Sequence, residues 1–295
     1  MKNKTKGMIN QCIAFDSEYD KKNFIKSYLS KHNMYKRFNQ GKIFTYQKET
    51  VNFRSIVAKI LKAKYKFLPN EKFLEKNLEN LHNFLPKKLQ KFESSSETNA
   101  VIRDFYEEEL KIKKYYISFL KKIIKPIIKK NFYFQKTPTI RFSFPDQKSF
   151  NWKPSIHTDI MLGHPIEEIN LWLPITRAQE SNSMAIANLT DSIKVIKSVN
   201  FNFNKFAYLN QKDLKFHKKN FLKLKPLNMK DDSFLIFDPR RLHVTQKNVT
   251  KYTRISMDIR IITKNILGKL NRNYVGTGRR KMKFLPGHYY SQVSI

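Results

Sequence analysis

The sequence is short of cysteine, of acidic residues and of long apolar runs. Cys12 is the only cysteine among 295 residues, so no disulfide can form within the chain, and this usage is typical of a reducing compartment. No run of 18 consecutive apolar residues occurs, and the first residues carry charges without an apolar segment of signal-peptide length. These absences predict a cytoplasmic protein with no transmembrane segment.

Glycine is also scarce, with 7 residues, and the sequence contains no glycine-rich phosphate loop and no internal repeat. By contrast, apolar residues make up 40% of the chain, and 24 of them are phenylalanines. Highly charged disordered chains lack such aromatic content. The sequence therefore predicts a folded protein of one large domain with additions, or of two domains.

The balance of charge is strongly basic, with 58 Lys and Arg against 24 Asp and Glu and a formal net charge of +34. Lysines account for 46 of the basic residues and are scattered from Lys2 to Lys283, in a chain also rich in Asn, Ile and Phe. This mixture is typical of an AT-rich genome, and we interpret the charge mainly as a solvated lysine surface. A dedicated polyanion site stays open as the alternative, and a positive field also favours an anionic substrate.

The part of the chain before residue 132 shows helical spacing. The segment "TNAVIRDFYEEELKIKKYYISFLKKIIKPIIKK" carries an apolar stripe with lysines around it: Ile112, Tyr116, Phe119, Leu120, Ile123 and Ile127. A basic amphipathic helix can lie on a membrane surface. The favoured interpretation is a helix that packs against the main sheet.

After residue 132 the apolar period changes from 3.6 to 2. In "TRISMDIRIIT" one face carries Ile255, Met257, Ile259 and Ile261, and the other carries Arg254, Ser256, Asp258 and Arg260. "TPTIRFSFP" and "EEINLWLP" alternate in the same way, and "SFLIFDP" is typical of a buried strand. Successive strands without intervening helices predict an α+β protein with an antiparallel sandwich or barrel. We divide the chain into a mainly helical region, 1–131, and a β core, 132–295, which could form one integrated domain.

Candidate metal ligands occur in this β core. Iron(II) in a non-haem site takes two imidazoles and one carboxylate, and His157-Thr158-Asp159 supplies one of each from one strand end, because period 2 turns both side chains the same way. Of the later histidines, only His243 follows a buried strand, and the others considered are His164, His217 and His288. Arg254 lies eleven residues beyond His243 and is followed at the next inward position by Ser256.

These residues resemble the pattern of the Fe(II)/2-oxoglutarate-dependent dioxygenases, which is H-x-D, a distant His, and an Arg-x-Ser or Arg-x-Thr about ten residues later. The resemblance covers residues 137–263 and is nearest to a branch associated with streptomycin-type and surface-sugar biosynthesis. It implies a double-stranded β-helix, the jelly-roll or cupin-like closed double sheet. The sequence departs from the branch at Asp231-Asp232, where a glycine turn is usual.

The resemblance also implies a role for each residue. His157, Asp159 and His243 are expected to hold Fe(II), with 2-oxoglutarate and O2 as co-substrates. Arg254 and Ser256 are expected to bind the far carboxylate of 2-oxoglutarate, with Asn170 beside the cofactors. The expected contacts of the prime substrate are Arg141, Trp172, Ser183 and Arg260. Core packing stays open as the alternative for Trp172, and pairing with a carboxylate such as Asp258 stays open for the two arginines. The expected reaction is hydroxylation of a small molecule, such as a sugar or sugar-linked compound, with desaturation or epimerisation as variants.

Other interpretations stay open at this point. The H-T-D segment could be a polar surface turn, and the same ligand types could serve a zinc hydrolase, although the Arg254-x-Ser256 spacing has no role there. An inactive relative or another basic binding protein could keep the fold without catalysis. An oxidative demethylase of nucleic acid would use the charge, but we expect no specific nucleic acid partner.

Overall fold

The structure is a computed structural model, and it describes residues 12–30, 38–91, 98–145, 155–267 and 283–295. Helices dominate the first half and recur between strands. Their ranges are α1 Glu18–Ser30, α2 Phe53–Lys64, α3 Glu71–Lys76, α4 Lys87–Gln90, α5 Ala100–Tyr106, α6 Glu109–Phe119, α7 Lys125–Ile128, α8 Leu189–Ser198, α9 Phe203–Lys212, α10 Leu214–Phe221 and α11 Lys264–Leu267. Within the described ranges, no helix combines the length and the apolar character needed to span a membrane.

Short turns of helix complete the helical elements. The segments Leu78–Asn83, Ile160–Leu162 and Glu180–Asn182 have 3-10 geometry, and the π-helical turn Leu120–Ile124 joins α6 to α7. Asparagine side chains cap several helix starts, as at α2, where Asn52 Oδ1 accepts from the Ser55 N–H at 3.0 Å. Such caps satisfy backbone donors that the helix itself leaves open.

The strands form two antiparallel sheets. Their ranges are β1 Lys42–Thr45, β2 Phe132–Phe134, β3 Thr139–Ser143, β4 Ile169–Pro174, β5 Met184–Ile186, β6 Lys225–Pro226, β7 Ser233–Phe237, β8 His243–Thr245 and β9 Arg254–Thr263. The larger sheet has the order β1-β7-β4-β9-β2, with β3 also paired to β9, and the smaller has the order β6-β5-β8. The predicted mixture of helices with an antiparallel β core is confirmed. The expectation that no helices separate the strands is wrong, because α8, α9 and α10 lie between β5 and β6.

Strand β9 separates the core from the opposite face of the larger sheet. Ile255, Met257, Ile259 and Ile261 are completely buried in the main apolar cluster. The apolar residues of β3 and β4 join the same cluster: Ile140, Phe142, Ile169, Leu171 and Leu173. The alternation predicted from the sequence is therefore confirmed, and the other face of β9 is left for polar side chains.

The apolar stripe of α6 and its continuation packs against the larger sheet, as the favoured interpretation expected. Ile112, Tyr116, Phe119 and Leu120 are buried in the cluster that contains the sheet residues. The ring of Phe119 meets that of Phe234 on β7 edge to face, with centroids 5.4 Å apart. The stripe is thus covered by protein.

The region before residue 132 also contributes to the sheet. Strand β1 pairs with β7 in the register Lys42↔Ile236 to Thr45↔Ser233. Helix α1 lies in a second apolar cluster, where Phe24 contacts Phe203 of α9 with ring centroids 5.8 Å apart. The N-terminal region is therefore helical with one edge strand, and it packs on both parts of the β core.

Arg54 on α2 ties this region to the sheet. Its two terminal nitrogens donate to the carboxylate oxygens of Glu79 at 2.7 and 2.8 Å, and Nη1 lies 3.2 Å from Asp231 Oδ2. Lys48 donates to the same Asp231 oxygen at 2.8 Å. Asp231 belongs to the acidic pair at which the sequence departs from the resembled pattern. Through its contacts with Lys48 and Arg54, it joins the N-terminal region to the segment that precedes β7.

We expect Arg54→Gln to lower the free energy of unfolding by about 1.5–3 kcal/mol, because charge-assisted hydrogen bonds are lost, the partly buried Glu79 loses its guanidinium partner, and Asp231 keeps only Lys48. Urea unfolding followed by circular dichroism measures the loss. The control is Lys111→Gln, which removes an exposed ion pair with Glu108 and should cost no more than about 0.5 kcal/mol. Equal losses in the two variants would contradict a special role for Arg54.

The contribution should also depend on pH. Burial acts to raise the pKa of Glu79, but Arg54 outweighs it and holds that pKa below its ordinary value. A depressed folded-state pKa gives stability that is present above the unfolded pKa, about 4.3, and is lost as the pH falls through the folded value. The gap between wild type and Arg54→Gln should therefore narrow below about pH 4.

Candidate metal centre

His157 and His243 are neighbours through their backbones. His243 begins β8, which pairs with β5, and on its other side it forms an isolated antiparallel bridge with His157. The two residues exchange main-chain hydrogen bonds of 3.0 and 2.9 Å. Their rings therefore lie together, with centroids 4.3 Å apart.

Asp159 completes a group of three possible metal ligands. Its backbone N–H donates to the Pro239 carbonyl at 3.2 Å, and the turn Ile160–Leu162 begins directly after it. Asp159 Oδ1 lies 3.8 Å from His157 Nε2 and 3.5 Å from His243 Nε2. One ligand atom from each of the three residues lies within 4.8 Å of the others, a spacing that could hold one metal ion.

The hydrogen bonds of the imidazoles fix the tautomer that a metal needs. His157 Nδ1 lies 2.8 Å from the Ser155 carbonyl oxygen, and His243 Nδ1 lies 3.0 Å from that of Arg241. A carbonyl only accepts, so each Nδ1 carries the proton, and each Nε2 presents its lone pair toward Asp159. A hydrogen bond from the ring nitrogen that does not bind the metal commonly orients metal-binding histidines in this way.

Electrostatics place two of the three candidate ligands, His157 and Asp159, in their metal-binding forms near neutral pH. Burial, followed by the neighbouring His243, lowers the pKa of His157 to about 3, so its ring is neutral. Burial acts to raise the pKa of Asp159, but Arg260 and other nearby groups hold it well below its usual range. A neutral imidazole and an ionised carboxylate are the forms that bind divalent metals.

The second oxygen of Asp159 is held by the larger sheet. Asn170 Nδ2 donates to Oδ2 at 2.8 Å, and Arg260 approaches the same oxygen with Nε at 2.9 Å and Nη2 at 2.8 Å. Asn170 on β4 and Arg260 on β9 are register partners. The site therefore lies between the two sheets, with His243 from one and these two side chains from the other.

Arg254 and Ser256 lie on the same face of β9 as Arg260. Arg254 is almost completely buried, at 1% exposure, and its guanidinium carbon is 6.0 Å from the centre of the Trp172 ring. Ser256 is fully buried, and within the described structure its hydroxyl has no hydrogen-bond partner. The Oδ1 atom of Asn170 is in the same situation.

The remaining predicted substrate residues have protein contacts. Arg141 on β3 donates from Nε to Asp258 Oδ2 at 2.7 Å. Burial alone would raise the pKa of Asp258, but three guanidinium groups hold it below its usual range: Arg141, Arg260 and Arg254. Trp172 is buried in a small apolar cluster, and the buried Ser183 donates its hydroxyl to the Met184 carbonyl at 3.4 Å.

A buried polar cluster beside the site was missed by the sequence reading. Glu168, which has no exposed surface, accepts from Tyr290 Oη, and its Oε2 lies 2.8 Å from His164 Nδ1. Tyr289 lies next to this cluster, and its hydroxyl has no hydrogen-bond partner in the described ranges. "HPIEE" does carry a spacing of four between His164 and Glu168, but nothing local connects it to the tyrosines more than 100 residues later.

Comparison with known proteins finds similarity only to solved structures. No protein-family model and no curated protein matches the chain. Among solved structures it is similar to the apo form of EctD from S. alaskensis, at 10% identity and a TM-score of 0.45, covering 98% of this chain and 92% of that one. At identities and TM-scores this low, the function has to be argued from the site.

Two further structures come from nogalamycin biosynthesis. The non-heme alpha ketoglutarate dependent carbocyclase SnoK matches at 10% identity with a TM-score of 0.44, covering 88% of this chain and 93% of that one. The non-heme alpha ketoglutarate dependent epimerase SnoN matches at 9% identity with a TM-score of 0.43, covering 93% and 98%.

We expect His243→Ala to weaken Co(II) binding by more than about 100-fold. Loss of a group that only hydrogen-bonds to a metal ligand typically lowers metal affinity 10–100-fold, and loss of the ligand itself should lower it further. Anaerobic titration with Co(II), followed by visible absorption, measures the affinity. His217→Ala is the control, since His217 lies on α10 and is not one of the three candidate ligands. Similar affinity in wild type and His243→Ala would rule out the assignment.

Proposed function

We propose that the chain is an Fe(II)- and 2-oxoglutarate-dependent dioxygenase that hydroxylates a small molecule. The observation that carries the proposal is the group of two histidines and one aspartate whose Nε2, Nε2 and Oδ1 atoms face one another. We further propose that the two sheets that enclose this group form a double-stranded β-helix. A zinc hydrolase would use similar ligands, but it would leave the buried Arg254 and Ser256 without a role.

The donor set fits iron(II). Two neutral imidazoles and one carboxylate on one side of an ion suit Fe(II) and leave its other positions open for co-substrates. When bound, the iron would supply oxidation of a C–H bond with O2, at the expense of decarboxylation of 2-oxoglutarate. The chain's own contribution is to position the ligands and to exclude water, which the burial of Asp159 at 1% exposure supports.

The face beside the triad fits a dicarboxylate. Arg254, Arg141 and Arg260 share it with two carboxylates, those of Asp159 and Asp258, so positive charge is in excess there even without a metal. A guanidinium can bind a carboxylate through two parallel hydrogen bonds. We assign Arg254 to the 5-carboxylate of 2-oxoglutarate, and the buried hydroxyl of Ser256 as a donor to the same group.

We propose an anionic small molecule as the prime substrate, with a phosphorylated or nucleotide-linked sugar as the favoured class. An open groove of about 690 Å³ is lined by Lys136, Lys283, His288 and Tyr289, among others. Gln135 also lines the groove, and its N–H donates to the Arg260 carbonyl at 2.7 Å, so the groove borders the strand that carries Arg260. A cationic groove along this strand would attract such a substrate.

The direct test is the reaction itself. Anaerobically purified protein, supplied with Fe(II), 2-oxoglutarate and a panel of anionic sugars, should consume O2 and release succinate in proportion. The Asp159→Ala protein should do neither, because the carboxylate ligand is gone. Succinate release that is independent of added iron or of 2-oxoglutarate would contradict the proposal.

We expect Arg254→Ala to weaken 2-oxoglutarate binding by at least ~10-fold, because charge-assisted hydrogen bonds worth about 1.5–3 kcal/mol are lost. Arg254→Lys keeps the charge but not the paired N–H donors of the guanidinium. Its affinity for 2-oxoglutarate should therefore lie between those of Arg254→Ala and the wild type. Calorimetric titration of 2-oxoglutarate into anaerobic Co(II)-loaded protein measures the affinity without the unknown substrate. Co(II) binding without 2-oxoglutarate should hardly change, and unchanged 2-oxoglutarate affinity in both variants would exclude the role.

The nucleic-acid alternative makes a different prediction. If the lysines are mainly a solvated surface, duplex DNA should bind at physiological salt no more tightly than the non-specific range, about 10⁻⁴–10⁻⁶ M. Fluorescence anisotropy with labelled duplexes at several salt concentrations measures this. A nanomolar complex that depends on sequence or on a base lesion would favour the demethylase over the sugar oxygenase.

A further inference from the structure

The two oxygens of Asp159 have different surroundings. Oδ1 faces His157 Nε2 and His243 Nε2 at 3.8 and 3.5 Å. Oδ2 accepts from Asn170 Nδ2 at 2.8 Å and from Arg260 Nε at 2.9 Å, and Arg260 Nη2 lies 2.8 Å from the same oxygen. The carboxylate is therefore turned so that one oxygen faces the imidazoles and the other faces the sheet.

The contact with Arg260 is unusual in one respect. An arginine that binds a carboxylate with two nitrogens commonly engages both oxygens, one with each nitrogen. Here Nε and Nη2 both approach Oδ2, at 2.9 and 2.8 Å. The arrangement saturates one oxygen and leaves the other to the imidazole side.

We infer that Arg260, with Asn170, is a positioning residue that restricts Asp159 to a single metal-facing oxygen. The inference rests on the proposed metal site and gives Arg260 a role other than the substrate contact expected from the sequence. A carboxylate that chelates a metal with both oxygens occupies two coordination positions instead of one. Holding Oδ2 away keeps one more position open for co-substrates.

The sheet keeps both donors in place. Asn170 and Arg260 are paired in register between β4 and β9, and the Arg260 carbonyl accepts the Gln135 N–H at 2.7 Å. Arg260 is largely buried, so its long side chain has little freedom to leave Asp159. The guanidinium is therefore fixed before any metal binds. Removing a group that hydrogen-bonds to a metal ligand typically lowers metal affinity or activity 10–100-fold.

The chain offers a matched control. Arg141 on β3 lies on the same face and binds Asp258 through Nε at 2.7 Å, and its side chain is 27% exposed. Neither partner belongs to the three candidate ligands. Arg141→Gln thus removes a comparable ion pair near the site without releasing Asp159.

The test uses Mn(II), because the relaxation of water protons reports how many waters a bound Mn(II) ion keeps. We expect Arg260→Gln to bind Mn(II) but to show about one third less proton relaxivity per bound ion, since Asp159 would occupy one of three open positions. Its Co(II)-loaded form should bind 2-oxoglutarate at least ~10-fold more weakly, as calorimetry would show. Asn170→Ala should lower both the relaxivity and the 2-oxoglutarate affinity, but by less than Arg260→Gln. Arg260→Lys should give values of both quantities between those of Arg260→Gln and the wild type.

The outcomes separate the inference from the proposed function. If the wild-type protein binds neither Mn(II) nor Co(II), both the proposed function and the inference are wrong. Normal wild-type binding, with unchanged relaxivity and unchanged 2-oxoglutarate affinity in the Arg260 and Asn170 variants, would overturn the inference alone. Arg141→Gln should keep wild-type relaxivity, and an equal drop there would show that any lost ion pair suffices. If Arg260→Gln fails to fold, Asn170→Ala decides the matter by the same two measurements.

Discussion

The antiparallel pairing of β4 with β9 determines both the core and the candidate site. Its register, from Ile169↔Ile261 to Pro174↔Ser256, turns the apolar set of both strands to one side. The same register sets Asn170 beside Arg260 on the other side, where both reach Asp159. A slip of one residue would exchange the two faces and expose the core while dismantling the site.

Much of this could be predicted because it is local. A period of two assigns every residue of β9 to a face without knowledge of its neighbours, and the burial of Ile255 to Ile261 agrees. The choice of His243 also used local information, since it follows the buried strand β7. The contact of Arg260 with Asp159 was not accessible in this way, because Arg141, Arg254 and Arg260 look alike in sequence and only the register tells them apart. Strand β1 was missed because four residues, "KIFT", give too short a pattern.

Lysines and arginines occupy different surroundings in the described structure. Among the described residues no lysine is buried, whereas Arg240, Arg241 and Arg254 are. Arg240 illustrates the difference, because it spans both oxygens of Asp238 and also donates to the Tyr28 carbonyl. Lysine is a strongly hydrated point charge, while the planar guanidinium satisfies several acceptors at once and tolerates burial better. The buried cations of the described structure are therefore arginines, and its lysines keep contact with solvent.

The bridge between His157 and His243 consists of main-chain groups alone, with hydrogen bonds of 3.0 and 2.9 Å. Its persistence does not depend on the identity of the side chains that it brings together. Both positions could therefore be given other donors, such as thiolate or carboxylate, with the spacing retained. Because softness and charge of the donors select the metal, this pair of positions is a ready scaffold for redesigning which ion the protein accepts.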